Sequence, residues 1–148
     1  MDRRNVEDIY PLSPLQQGML FHAVYSEGAA YQEQFPLLLV GELDVDALER
    51  AFRAVVARHG ALRTGFVWEG VPQPMQFVLR QAEPTFERLD WGGAGEEWRA
   101  RFDALMEDDR RRGHDLKGPP LVRITLARID GRRHVMLLSM HHMVIDGW

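Results

Sequence analysis

Two apolar runs, Leu121 to Ile129 and His134 to His141, flank the dipeptide Asp130-Gly131. Strand-length apolar runs around Asp-Gly predict a β-hairpin with a two-residue turn. Within the second run, Val135-Met136-Leu137-Leu138-Ser139-Met140 does not alternate polar with apolar. A run of that kind reads as a buried strand. The sequence also signals helices. Asp44 caps a helix running through His59, with Leu48, Ala51, Phe52, Val55 and Val56 inward. Leu43 and Leu48 fit a hydrophobic staple, and Gly60 fits a C-terminal stop. Ser13-Pro14-Leu15-Gln16 reads as a capping box opening a helix to about Ser26, before Gly28, with Leu15, Met19 and Ala23 on one face. Glu96 to Arg112 reads as a third helix, with Trp98, Phe102, Leu105 and Met106 inward. Further strands are expected at Gln32–Gly41, Leu62–Trp68, Met75–Leu79 and Phe86–Asp90. Pro36 puts the beginning of the first of these at an edge or makes it irregular, and a turn at Glu69-Gly70 joins the next two. The class is α+β, with helices on a mixed, mostly antiparallel sheet.

Of the 148 residues, 45% are hydrophobic and 27% charged, enough for one cored, charged-surface unit. The net charge of −4 gives no global attraction to nucleic acid. No apolar run is long enough to span a bilayer, and Met1-Asp2-Arg3-Arg4-Asn5 does not open a secretory signal. Cysteine is absent, which fits a reducing compartment, so the expectation is cytoplasmic, with neither membrane nor nucleic acid as partner. Arg110-Arg111-Arg112 follows Glu107, Asp108 and Asp109 and reads as a solvated helix end.

The chemistry concentrates in His141-His142-Met143-Val144-Ile145-Asp146-Gly147-Trp148. Adjacent strand residues face opposite ways, so only one of His141 and His142 can easily point into a given channel. Histidine suits proton transfer near neutral pH. Asp146 is either a third catalytic group or an anchor needing a cationic partner, and Gly147 permits close backbone approach. Metal binding is disfavoured because neighbouring strand histidines diverge. The spacing of His141 and Asp146 also matches the H-x4-D motif of glycerolipid acyltransferases, on that feature alone. Trp68, Trp91, Trp98 and Trp148 read as core or edge residues. Read from the residues by themselves, a satisfied structural histidine pair is favoured over a catalytic site.

The octapeptide resembles the HHxxxDG motif of the condensation domains of nonribosomal peptide synthetases, which share a superfamily with chloramphenicol acetyltransferase. Three stretches agree with it: Tyr10-Pro11-Leu12-Ser13-Pro14-Leu15-Gln16-Gln17-Gly18-Met19-Leu20-Phe21-His22, Arg58-His59-Gly60-Ala61-Leu62-Arg63-Thr64-Gly65-Phe66, and Gly113-His114-Asp115-Leu116-Lys117-Gly118-Pro119-Pro120-Leu121-Val122-Arg123. His114 stands where the third motif usually has phenylalanine. The resemblance implies a chloramphenicol-acetyltransferase-like lobe over residues 1–148, with the C-terminal lobe of the same domain outside this chain. It implies an acyltransferase that forms peptide bonds between a thioester donor and an amine acceptor. Donor and acceptor peptidyl carrier proteins are the implied partners. They carry the substrates on 4′-phosphopantetheine, with no cofactor or metal bound directly. It assigns His142 as the catalytic residue, His141 as structural, and Asp146 as the ion-pair partner of Arg63, beside Gly147. The wording of the first motif and of Asp146-Gly147-Trp148 resembles domains joining a D-donor to an L-acceptor. An inactive scaffold or carrier-docking fragment, or the N-terminal lobe of an epimerization domain, is the alternative.

Overall fold

The computed structural model describes residues 3–25 and 31–145. In chain order the elements are β1 (Val6–Pro11), α1 (Pro14–Tyr25), β2 (Gln32–Val40), α2 (Val45–Arg58), β3 (Thr64–Val67), β4 (Met75–Leu79), β5 (Thr85–Asp90), α3 (Trp98–Arg112), β6 (Val122–Arg128) and β7 (Arg133–His141). Among the described residues the strands form two sheets, ordered β1-β4-β3 and β2-β7-β6-β5. Every pairing is antiparallel except β5 with β6. The hairpin β6–β7 is the centre of the larger sheet. One of its faces, through Ile124, Leu126 and Met136, packs against Leu48 and Phe52 of α2. The other, through Ala127, Val135 and Leu137, packs against Trp98 and Phe102 of α3. The unalternating apolar run is therefore covered on both sides, with a helix on each. β2 is an edge strand, as Pro36 requires. A third cluster, including Met19 and Leu20 of α1, Phe66 of β3, Leu121 and Met143, joins the smaller sheet to the end of the hairpin.

The local signals act as expected at two helix starts. Ser13 Oγ accepts from Gln16 N (3.2 Å) while Gln16 Oε1 accepts from Ser13 N (3.0 Å), a complete capping box. Asp44 Oδ1 accepts from Ala47 N at 2.8 Å. Gly65 is needed for packing, since a Cβ there would lie 2.5 Å from Phe77 Cζ and 2.7 Å from Pro119 Cδ.

Several details differ from the sequence expectations. The hairpin loop is not a two-residue turn. Ile129 N donates to Arg133 O (2.9 Å), and Asp130 Oδ1 accepts from Arg132 N (2.8 Å) and Arg133 N (2.9 Å). The aspartate side chain thus closes a three-residue loop, and Gly131 does not take a left-handed φ. Gly60 is no left-handed cap either; it opens a 3-10 turn, Gly60–Arg63, which delays β3 to Thr64. Leu15 is 71% exposed, and its place in the core is taken by Leu20. Ala51 and Val55 are exposed on α2, leaving Val56 as its buried residue. β1 was not expected; its residues are mostly exposed, and pairing with β4 forms it. No helix among the described residues is long and apolar enough to cross a membrane.

Candidate active site

β7 ends at His141, and His142 begins the turn that follows. The two rings part company there. His141 is buried; its Nδ1 accepts from Met143 N (3.1 Å) and its backbone N donates to Leu121 O (3.1 Å). The side chain of His142 is 33% exposed and lines an open cleft of about 580 Å³, together with Tyr10, Ser13, Gln16, Thr64 and Gln76. Its backbone N donates to Tyr31 O (2.9 Å). Its Nδ1 lies 3.1 Å from Ile145 O and its Nε2 3.1 Å from Oε1 of Glu33. Glu33 reaches this position because β2 pairs with β7, Gln32 against His141 and Glu33 against Met140.

The turn is tied down from the opposite side of the cleft. Gln16 of α1 and Gln76 of β4 face each other amide to amide, with Gln16 Nε2 to Gln76 Oε1 at 3.2 Å and Gln76 Nε2 to Gln16 Oε1 at 3.0 Å. Gln16 Nε2 also donates to Met143 O (3.1 Å), and Gln76 Nε2 to Pro11 O (3.1 Å). The residue after His142 is thereby referenced to α1, β1 and β4.

Behind His141 lies a buried polar cluster that the sequence alone does not reveal. Asp109, expected on a solvated helix end, is 3% exposed. Its Oδ1 accepts from Arg123 Nε (2.5 Å), and its Oδ2 accepts from Nε2 of Gln34 (2.7 Å) and of Gln32 (2.9 Å). Arg123 also donates to Asp109 O (2.9 Å) and Gly113 O (2.6 Å). Burial pushes the Asp109 carboxyl up, but hydrogen bonds from Arg123, Gln34 and Ser139 outweigh it and hold the group below the ordinary carboxylate range. Beside this pair His114 sits with Nε2 3.1 Å from Ser139 Oγ and Nδ1 3.4 Å from Arg123 Nη1. Its ring meets that of His141 edge-on at 6.4 Å. Burial, and then the Arg123 charge, push His114 down to about 3, so it is neutral at ordinary pH. Its Nδ1 then accepts from Arg123 and its Nε2–H donates to Ser139.

Arg63 is buried, and its Nη1 donates to Glu7 Oε2 (2.9 Å) and to Leu79 O. Asp146, Gly147 and Trp148 lie outside the described residues, and the expected Arg63–Asp146 pair lies there with them. Sequence reasoning does not find Glu33, the glutamine pair or Asp109. Arg123 carries a readable signal, because a cation in an otherwise apolar central strand needs a buried acceptor.

Residues 6–148 match the model of the condensation domain. The chain belongs to that family. It is 39% identical over 145 residues to one linear gramicidin synthase protein of Brevibacillus parabrevis, covering 97% of this chain and 2% of that protein. It is 43% identical over 147 residues to a second protein of the same synthase, covering 98% of this chain and 3% of that protein. The chain thus spans a small fraction of the curated relatives it matches. The first condensation domain of the calcium-dependent antibiotic synthetase, in complex with a substrate analogue, superposes with a TM-score of 0.81 at 25% identity, over 95% of this chain and 35% of that one. The α+β fold is accordingly shared with condensation domains.

Proposed function

We propose that this chain supplies one wall of a condensation active site in nonribosomal peptide synthesis. In that site an amine on an acceptor carrier protein attacks the thioester of a donor carrier protein, and His142 is the catalytic residue. The observation that carries this reading is the divergence of the two histidines. His141 is built into the lobe, whereas His142 presents its imidazole to an open cleft. Amide formation needs the amine freed of a proton and held in register with the thioester carbon. An imidazole on a tethered turn at a cleft wall can serve both needs. Both substrates would arrive on 4′-phosphopantetheine arms of the carriers. The cleft is open on one side, which fits a site completed by the second lobe of the domain. Asp146 is assigned the anchoring role toward Arg63, with Gly147 next to it. The phrasing of the first motif, Pro11 to His22, supports a D-configured donor and an L-configured acceptor.

The test is His142→Ala in a complete synthetase containing this domain, with both carriers loaded and saturating. Peptide formation should fall by at least about 100-fold, the usual contribution of a positioned acid or base. A rate equal to that of the unaltered enzyme would reject the assignment. Exchanging the D-donor for its L-enantiomer should slow product formation in the unaltered enzyme, and equal rates would refute the stereochemical assignment.

A further inference from the structure

Both ring nitrogens of His142 face acceptors. Ile145 O lies 3.1 Å from Nδ1, and the Glu33 carboxylate lies 3.1 Å from Nε2. A backbone carbonyl can only accept, and so can a carboxylate. A neutral imidazole has one N–H, so it satisfies one neighbour and turns a lone pair toward the other. The Ile145 carbonyl is fixed by the chain of the same turn. The Glu33 carboxylate stands at the end of a flexible side chain that is 44% exposed. With Nδ1–H donated to Ile145 O, the Nε2 lone pair and the Glu33 carboxylate stand side by side as two acceptors without a donor between them. A group bearing two N–H bonds and a positive charge satisfies both at once.

We propose that Glu33 and His142 form a two-point receptor for the protonated amine of the acceptor substrate. This deepens the condensation reading above and rests on it. The ammonium gives one N–H to His142 Nε2 and one to the carboxylate of Glu33. Passing the first proton to Nε2 leaves a neutral amine whose lone pair is free to form the C–N bond as the C–S bond breaks. The departing sulfur takes up one proton, and the second proton lost by the nitrogen leaves to solvent as the amide forms. Glu33 is thus a substrate-binding residue that favours ammonium-bearing acceptors over neutral hydroxyl acceptors. The ladder places it there, because β2 enters the sheet beside the end of β7.

Two experiments test this separately from the parent reading. In the 148-residue chain, ring ¹⁵N shifts of His142 report its tautomer. The neutral ring should carry its proton on Nδ1, and a proton on Nε2, held by Glu33, would overturn the proposal. In a complete synthetase with the acceptor carrier supplied as a separate protein, Glu33→Gln should raise the KM for the aminoacyl acceptor about tenfold. Its kcat should stay within about twofold, because a charge-assisted hydrogen bond becomes a neutral one. Glu33→Asp should recover part of the loss. An unchanged KM in Glu33→Gln, alongside an inactive His142→Ala, would reject the role of Glu33 and leave the condensation reading standing. An active His142→Ala would instead remove the condensation reading.

Discussion

Replacing His114 by phenylalanine, the residue the third motif usually has, should make this fold less sensitive to mild acid. The folded ring takes its proton only near pH 3, whereas an unperturbed histidine takes it near 6.5. Between those values the unfolded chain binds one more proton than the folded one. Stability is therefore present above pH 6.5 and is lost progressively as pH falls toward 3. Linkage puts the loss between pH 7.5 and pH 5 at about 2 kcal/mol, or about 4–8 °C in melting temperature for a domain of this size. The His114→Phe variant has no such proton to refuse. At pH 7.5 it should lose only about 1 kcal/mol, for hydrogen bonds exchanged for apolar contact. The cost is small because Arg123 keeps Asp109 and Gly113 O, and Ser139 Oγ keeps Gln32 Nε2 at 3.2 Å. Urea unfolding of both proteins at pH 7.5 and pH 5.0, followed by circular dichroism, measures the difference. An equal acid loss in the two proteins would show that His114 is not held neutral by its surroundings.

Asp109→Ala should cost about 3 kcal/mol, the lower end for breaking a buried pair. The lower end applies because two backbone carbonyls still hold Arg123. Adding Arg123→Met should recover part of that loss, and strictly additive losses in the double-mutant cycle would deny the coupling. If the chain supplies one wall of the site as proposed, then with both loaded carriers it should release no peptide above the uncatalysed rate, since one wall of a cleft cannot hold two substrates in register. Product that disappears on His142→Ala would show that one wall suffices.

The helices are the most legible part of the sequence. Their starts depend on neighbours within four residues, as at Ser13 with Gln16 and Asp44 with Ala47. β1 is illegible because it is exposed, and its strand state comes from β4, which is distant in sequence. The same holds for the hairpin loop, where the carboxylate of Asp130 rather than the backbone of Gly131 sets the geometry. At the site, the divergence of His141 and His142 agrees with period two, although His142 already lies in the turn after β7. The partners of His142 cannot be read from the sequence, since Glu33 lies 109 residues away and reaches it through strand register. Asp109 misleads because its neighbours Asp108 and Arg111 are solvated; one turn of helix holds both exposed and buried charge.

The amide-to-amide tether between Gln16 and Gln76 carries no formal charge. Salt does not screen it as it would an ion pair, and neither side chain titrates in the working range. The turn that carries His142 is therefore anchored in a way that does not depend on ionic strength. A Gln16→Glu and Gln76→Lys exchange would keep a tether but make it electrical, and the placement of the His142 ring would then vary with ionic strength.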